Sequence, residues 1–234
     1  MTTEEFSNQF DIQINAYANQ ILEGNPQGPL EFDEYEKSVL LTEAQNDLII
    51  NLYNGNNALF RESYDETEQL KKYLTDLVTP WENTSLEENL DMPPYSSNNK
   101  DEVYYKFELP EDSLFIVWEG VMINSKFRDV VPVKYDEWLR ISRNPFRQPN
   151  KKWRALRLDT GTRIIEIISA EQCTSYHVRY IKKPNPIILT DLGDLSIENV
   201  STATECELNS VLHPYILNIA VQKALASRAT TNKS

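Results

Sequence analysis

Cys173-x3-His177 and Cys206-x6-His213 are the groups in this sequence best suited to hold a metal, and between them they use every one of its 2 Cys and 2 His. Thiolate and imidazole ligate zinc, but neither spacing follows a standard zinc pattern, so these side chains are expected to be structural, with no metal site and no cofactor. The carboxylates from Glu31 to Glu36 and from Asp65 to Glu68 contain pairs that acid–base catalysis could use. Helix caps and the helix dipole already account for both clusters. The six glycines form no phosphate-binding loop, and no Ser or Cys stands in a nucleophile motif. No catalytic residue can be named, and the chain is expected not to be an enzyme.

The remaining constellation is basic. Residues 126–183 carry 14 Lys and Arg against 6 Asp and Glu, among them Arg140, Arg143, Arg147, Lys151, Lys152, Arg154 and Arg157, interleaved with Trp138, Phe146 and Trp153. One reading is a nucleic-acid module that holds phosphate by charge and stacks bases on aromatic rings. The other is a β-domain that buries its tryptophans and docks its basic surface on an acidic protein, such as the acidic half of a neighbouring copy. In that second reading Arg143, Arg147, Lys151 and Lys152 are the subunit contacts. The charge distribution supplies the complement: residues 1–112 hold 24 acids and 6 bases, residues 113–234 hold 12 acids and 17 bases, and the whole chain stands at −13. A chain so acidic is poorly suited to coating nucleic acid.

Position along the chain follows from periodicity. Thr2-x-x-Glu5 and Asp33-x-x-Glu36 are capping boxes, each followed by apolar residues at helical spacing: Phe6, Phe10, Ile14, Tyr17 and Ile21, then Val39, Leu40, Ala44, Leu48 and Leu52. Gly24 and Asn54-Gly55 end them. A third helix, opened by Asp65-x-x-Glu68, stops at Thr79-Pro80. Residues 1–82 therefore read as a small helical bundle, and 83–101, rich in Pro, Ser, Asn and Glu, as an irregular arm. The period then changes to two. Strands are expected at Val103–Leu109, Ser113–Ile123 with an interruption at Glu119-Gly120, Asp129–Val133, Lys152–Leu158, Arg163–Ile168 and Ser175–Ile181. A hairpin turn is expected at Asp159-Thr160-Gly161 and a short helix at Tyr135–Ser142. Residues 102–190 form this β-rich basic region, and 191–234 a loop, a helix near Leu208–Ser227 and a frayed tail. The expected class is α+β: an N-terminal helical bundle, a central β-rich region and a C-terminal helix. No signal peptide or membrane span is expected, since apolar runs such as Leu114 to Trp118 are too short.

Several stretches, in this order, resemble the virion neck proteins of crAss-like phages. They are Phe32-Asp33-Glu34-Tyr35-Glu36-Lys37-Ser38-Val39 with Leu41-Thr42-Glu43-Ala44-Gln45, Val131-Pro132-Val133 with Tyr135-Asp136-Glu137-Trp138, Asn144-Pro145-Phe146-Arg147-Gln148-Pro149, Tyr180-Ile181-Lys182-Lys183-Pro184, and Leu208 through His213 to Ala220. The resemblance implies an adaptor-like ring protein joining head to tail, continuing the DNA channel under the portal protein in twelve copies and touching further neck or tail proteins. It implies a place in the virion after assembly in the host cytoplasm. It carries only a role onto Leu208–Ser234, that of reaching the portal, and Leu208, Tyr215, Ser227 and Arg228 are the residues expected to serve it. Contact with genomic DNA is expected to be weak and without sequence preference.

Overall fold

In the computed structural model the described residues are 1–21, 30–55, 68–88, 102–150, 152–159 and 163–231. They form five α-helices and seven strands, a mixed α+β chain that divides into two compact units.

The first unit is Met1–Leu77 together with Lys183–Ser234. Helix α1 (Thr3–Ile21) starts at the predicted box, with the Glu5 amide donating to Thr2 Oγ1 at 3.2 Å and the Thr2 amide to Glu5 Oε2 at 3.0 Å. Helix α2 (Glu34–Asn54) is capped reciprocally by Asp33 and Glu36 and closed by Gly55 at φ 72°, a left-handed position that glycine occupies without steric cost. Helix α3 (Glu68–Leu74) and a 3-10 turn end at Leu77, where Thr79-Pro80 was expected to stop them. Gly24 and Asp65 lie outside the described residues. The third helix packed with α1 and α2 comes from the other end of the chain: α5 (His213–Thr231) lies against both. Phe6, Phe10, Ile14, Leu41, Leu48, Leu52, Ile216, Ala220 and Val221 are all fully buried.

Polar residues on α2 that a simple amphipathic reading would leave in water are also buried: Ser38, Thr42 and Gln45. They satisfy the backbone of the extended segment 185–189. Gln45 Nε2 donates to the Asn185 carbonyl at 2.9 Å, and the Leu189 amide donates to Ser38 Oγ at 3.0 Å. A buried amide without a partner costs about 1–3 kcal/mol, so these side chains let Ile187, Ile188 and Leu189 enter the core.

The second unit, Val78–Lys182, is one seven-stranded sheet in the order β1-β7-β3-β4-β5-β6-β2. Its strands are β1 (Val78–Asn83), β2 (Val103–Glu108), β3 (Ser113–Ile123), β4 (Lys126–Lys134), β5 (Arg154–Asp159), β6 (Ile164–Ser169) and β7 (Ser175–Lys182). Val78–Glu82, expected within the helical region, is in fact strand. Pro80 is compatible with this strand because β1 lies at the sheet edge, where a missing ladder donor is tolerated. Strand β3 continues through Glu119-Gly120, and its register shifts fall earlier, between Ser113 and Phe115 and between Ile116 and Trp118. Asn124 and Ser125, both at positive φ, make the two-residue turn into β4. The proposed turn at Thr160-Gly161 lies outside the described residues, as does most of the 83–101 arm.

Alternation along the strands sends side chains to two cores. Tyr105, Ala155, Ile165, Ile167, Tyr176 and Val178 pack on one face. Tyr104, Leu156, Leu158 and Ile168 pack on the other, beneath Trp138 and Ile141 of α4 (Trp138–Ser142). Strands β4 and β5 run parallel while every other pair in the sheet is antiparallel. A parallel pair cannot be closed by a tight turn and requires a crossover of a dozen or more residues. That crossover, residues 135–153, carries α4 and the basic aromatic loop.

Candidate assembly surface

After α4 the chain turns twice on asparagine side chains. The Phe146 amide donates to Asn144 Oδ1 at 2.9 Å, and the amides of Arg147 and Gln148 both donate to the Asn144 carbonyl at 2.9 Å. The Lys152 amide donates to Asn150 Oδ1 at 2.8 Å, and Asn150 and Arg154 bond each other through their backbones. The Arg154 guanidinium donates to the Phe146 carbonyl, tying the first turn to the second. Arg143, Arg147 and Lys152 are exposed on this loop, and Lys151 lies outside the described residues. From Trp138 to Leu158 there is no Asp or Glu, and Arg143, Arg147 and Lys152 have no ion-pair partner among the described residues.

The aromatic residues of this segment separate. Trp138 is 2% exposed, but Trp153 is 71% and Phe146 84% exposed. The expectation that the domain buries its tryptophans holds for Trp138 and fails for Trp153, because the loop turns on itself before β5 begins and leaves Trp153 outside the sheet.

Deeper in the same unit, Glu119 takes the Arg157 Nε–H at 2.9 Å and the Tyr176 hydroxyl at 2.9 Å. Burial and the Glu119 carboxylate push the Tyr176 phenol well above its ordinary pKa. Arg157 is therefore a structural member of the sheet core. His177 sits on the outer side, with Ser175 Oγ at 2.7 Å from Nε2 and the Phe127 ring at 4.9 Å. Trp118, 44% exposed, meets Phe127 at 6.2 Å and lies on Gly120, where a Cβ would come within 3.2 Å of the indole.

The helical unit contributes the opposite charge: 20 Asp and Glu against 8 Lys and Arg, a net of −12, whereas the sheet unit's 16 acids and 15 bases leave −1. Buried Lys37 bridges Asp11 at 2.8 Å and Glu34 at 2.9 Å. Burial opposes its charge, but the two carboxylates outweigh it and hold the ammonium above its usual pKa.

Of the residues expected to serve portal docking, Leu208 is 4% exposed and belongs to the core of its own unit, so it can support the helix but offers no surface. Tyr215 is half-buried and Ser227 exposed. Arg228 lies 4.8 Å above the Phe32 ring and 3.8 Å from Glu36 Oε2, and α5 continues as helix to Thr231 where a frayed tail was expected. The extra turn is held because Arg228 ties α5 to the start of α2.

The His213 ring packs at a tilt against Phe6 at 5.2 Å, with Met1 N at 2.6 Å from Nδ1 and the Leu208 carbonyl at 2.9 Å from Nε2. Cys206 Sγ is 3.2 Å from Gln45 Oε1, and burial pushes its thiol up to about 11; burial raises Cys173 as well. Among the described residues no group of three His, Cys, Asp or Glu side chains is placed to hold a metal, and no helix is long and apolar enough to cross a membrane.

The described residues of this surface display charge and aromatic rings. Comparison with known proteins agrees with the resemblance read from the sequence: the family model of phage tail ring protein 3/4 matches residues 1–234. The chain belongs to that family. Ring protein 3 of Bacteroides phage crAss001 is 40% identical over 245 aligned positions, covering 100% of both chains. Ring protein 4/5 of the same phage is 33% identical, covering 97% of this chain and 93% of its own. The chain is thus a ring protein of the crAss-like phage tail or neck. As a tail ring family member, it carries its basic loop on the β4–β5 crossover of a mixed sheet and its acidic surface on the helices.

Proposed function

We propose that the chain is a structural subunit of the head-to-tail connector, closing into a ring below the portal and continuing the DNA channel toward the tail. The observation that carries this reading is full-length likeness to two different ring proteins of one phage. One fold used for more than one ring suits a stack in which related subunits face one another along an axis. In this reading the exposed Arg143, Arg147 and Lys152, with Lys151, meet the acidic helical unit of the next copy. Such a contact joins two different surfaces, and heterologous contacts of this kind close into rings when the rotation allows. Twelve copies match a portal of twelve-fold symmetry. The helices make an adaptor-like wall, and the end of α5, through Tyr215, Ser227 and Arg228, faces the portal.

The subunit turns over no substrate, assembles in the host cytoplasm and ends in the neck or tail of the virion. Its surface toward DNA is acidic or neutral, because a channel that gripped phosphate strongly would oppose passage of the genome. Antibody against the chain, viewed on intact and headless particles by electron microscopy, tests the placement. Label at the head–tail junction is the expected result; label on the capsid shell or the distal tail would overturn it.

A further inference from the structure

The two most exposed aromatic side chains of the described residues, Phe146 at 84% and Trp153 at 71%, stand on one loop with Arg143, Arg147 and Lys152, which have no ion-pair partner among the described residues. Isolated exposed apolar residues are ordinary, but here two rings stand on one short, internally hydrogen-bonded segment, with Phe146 flanked by Pro145 and Pro149 and Trp153 following the turn at Asn150. A loop already fixed in this way loses little freedom on binding, so its contact energy is not offset by ordering. Trp, Phe and Arg are also the types concentrated at interface centres, where an apolar anchor is ringed by polar groups.

We propose that Phe146 and Trp153 form the anchor by which one copy of the chain docks on the helical unit of the next. This rests on the ring reading above and identifies the side chains that hold the ring together. Charge selects the partner. A loop without a single acid between Trp138 and Leu158 requires an acidic surface, and the helical unit stands at −12. Apolar seats are present there as well: Ile12 of α1 is 63% exposed, seven residues and so about two turns from exposed Glu5, on the same helix face. Duplex DNA could neutralise the cations, but seating the rings would need base steps unstacked at a cost of about a few kcal/mol each, a cost that docking on an exposed apolar side chain does not carry.

The experiment uses the full chain. Sedimentation across a concentration series compares wild type with Phe146→Ala/Trp153→Ala, and a second form carries p-benzoylphenylalanine in place of Phe146 for photo-crosslinking and peptide mapping. The expected result is self-association weakened about a hundredfold in the double variant, as for the loss of two hot-spot side chains, with an unchanged thermal midpoint. Crosslinks should form between copies and land within residues 1–77 or 183–234. If the double variant associates like wild type, or the crosslink joins two sheet units, the anchor is wrong while the ring reading stands. If wild type never self-associates and never crosslinks to a second copy, both fall. Crosslinking to added duplex DNA in preference to a second copy overturns the proposal in favour of the nucleic-acid reading.

Discussion

Thr42 and Ile187 exchange two hydrogen bonds across 145 positions of the chain: the Ile187 amide donates to Thr42 Oγ1 at 3.1 Å, and that hydroxyl donates to the Ile187 carbonyl at 3.3 Å. One buried side chain on α2 thus satisfies both backbone groups of a residue that is itself fully buried. Replacing Thr42 by Val keeps the shape and strands the amide and the carbonyl. The expected cost is about 1–3 kcal/mol per stranded group, lowering the thermal midpoint by several degrees. Calorimetry checks this, and Thr42→Ser, which keeps the hydroxyl, should lose distinctly less.

The Lys37 bridge makes an asymmetric prediction. The Lys37 side chain is 4% exposed, while those of Asp11 and Glu34 are 46% and 40% exposed. Removing both carboxylates leaves a buried ammonium without a counter-charge, at a cost of about 3–5 kcal/mol. Lys37→Met leaves two carboxylates that water already reaches, and should cost far less. Urea titration of Asp11→Asn/Glu34→Gln beside Lys37→Met decides whether burial of the cation is what matters.

Stability should fall on both sides of neutrality. Burial pushes the phenols of Tyr105 and Tyr180 up to about 12, Tyr180 being further raised by Asp112. An unfolded tyrosine ionises near 10, so between about pH 10 and 12 only the unfolded chain loses these protons, and folding weakens as pH rises. On the acid side, burial, reinforced by the Met1 ammonium, outweighs the Leu208 carbonyl and holds His213 below its usual pKa. Below about pH 6.5 the unfolded chain takes up a proton that the folded chain resists, and stability declines. Chemical denaturation from pH 5 to 12 checks both limbs. Tyr180→Phe should flatten the alkaline one.

Docking by the end of α5 can be separated from folding. Truncation after Ala226 removes Arg228 and its contacts to Phe32 and Glu36 but keeps the buried Ile216, Ala220, Val221 and Ala224. The shortened chain should fold with a slightly lower melting temperature and no longer co-sediment with portal. Full-strength co-sedimentation would remove the docking role.

The sequence made legible what is local. Both capping boxes, the stop before Pro80 and the β-branched and aromatic runs of β2, β3, β6 and β7 depend on neighbours within a turn or a strand. What it hid depends on partners far away. Ser38, Thr42 and Gln45 look solvent-facing until segment 185–189 reaches them. Strand β1 is masked by a proline that only an edge position permits. The proposed assembly surface was half legible: charge marked the cations of the basic loop, but the exposure of Phe146 and Trp153 follows from the parallel pairing of β4 and β5, which no local pattern announces. Leu208, apolar and at helical spacing, read as a contact residue when its place is in the core.

Reversal of Arg143, Arg147, Lys151 and Lys152 to Glu should weaken association of copies most strongly at low salt, because exposed charges act within about 10 Å at 0.1 M ionic strength. Equal assembly of the reversed chain at 50 mM and 500 mM salt, at wild-type strength, would discard the electrostatic part of the account. Duplex DNA should bind the native chain only at micromolar concentrations or weaker, against the nanomolar range of specific binders.

Native mass spectrometry of the purified 27.2 kDa chain mixed with portal reads out whether the proposed ring subunit matches the portal. One closed species in which twelve copies of the chain accompany one portal ring is expected. A chain that stays monomeric beside intact portal, or binds it in scattered and variable numbers, would contradict it.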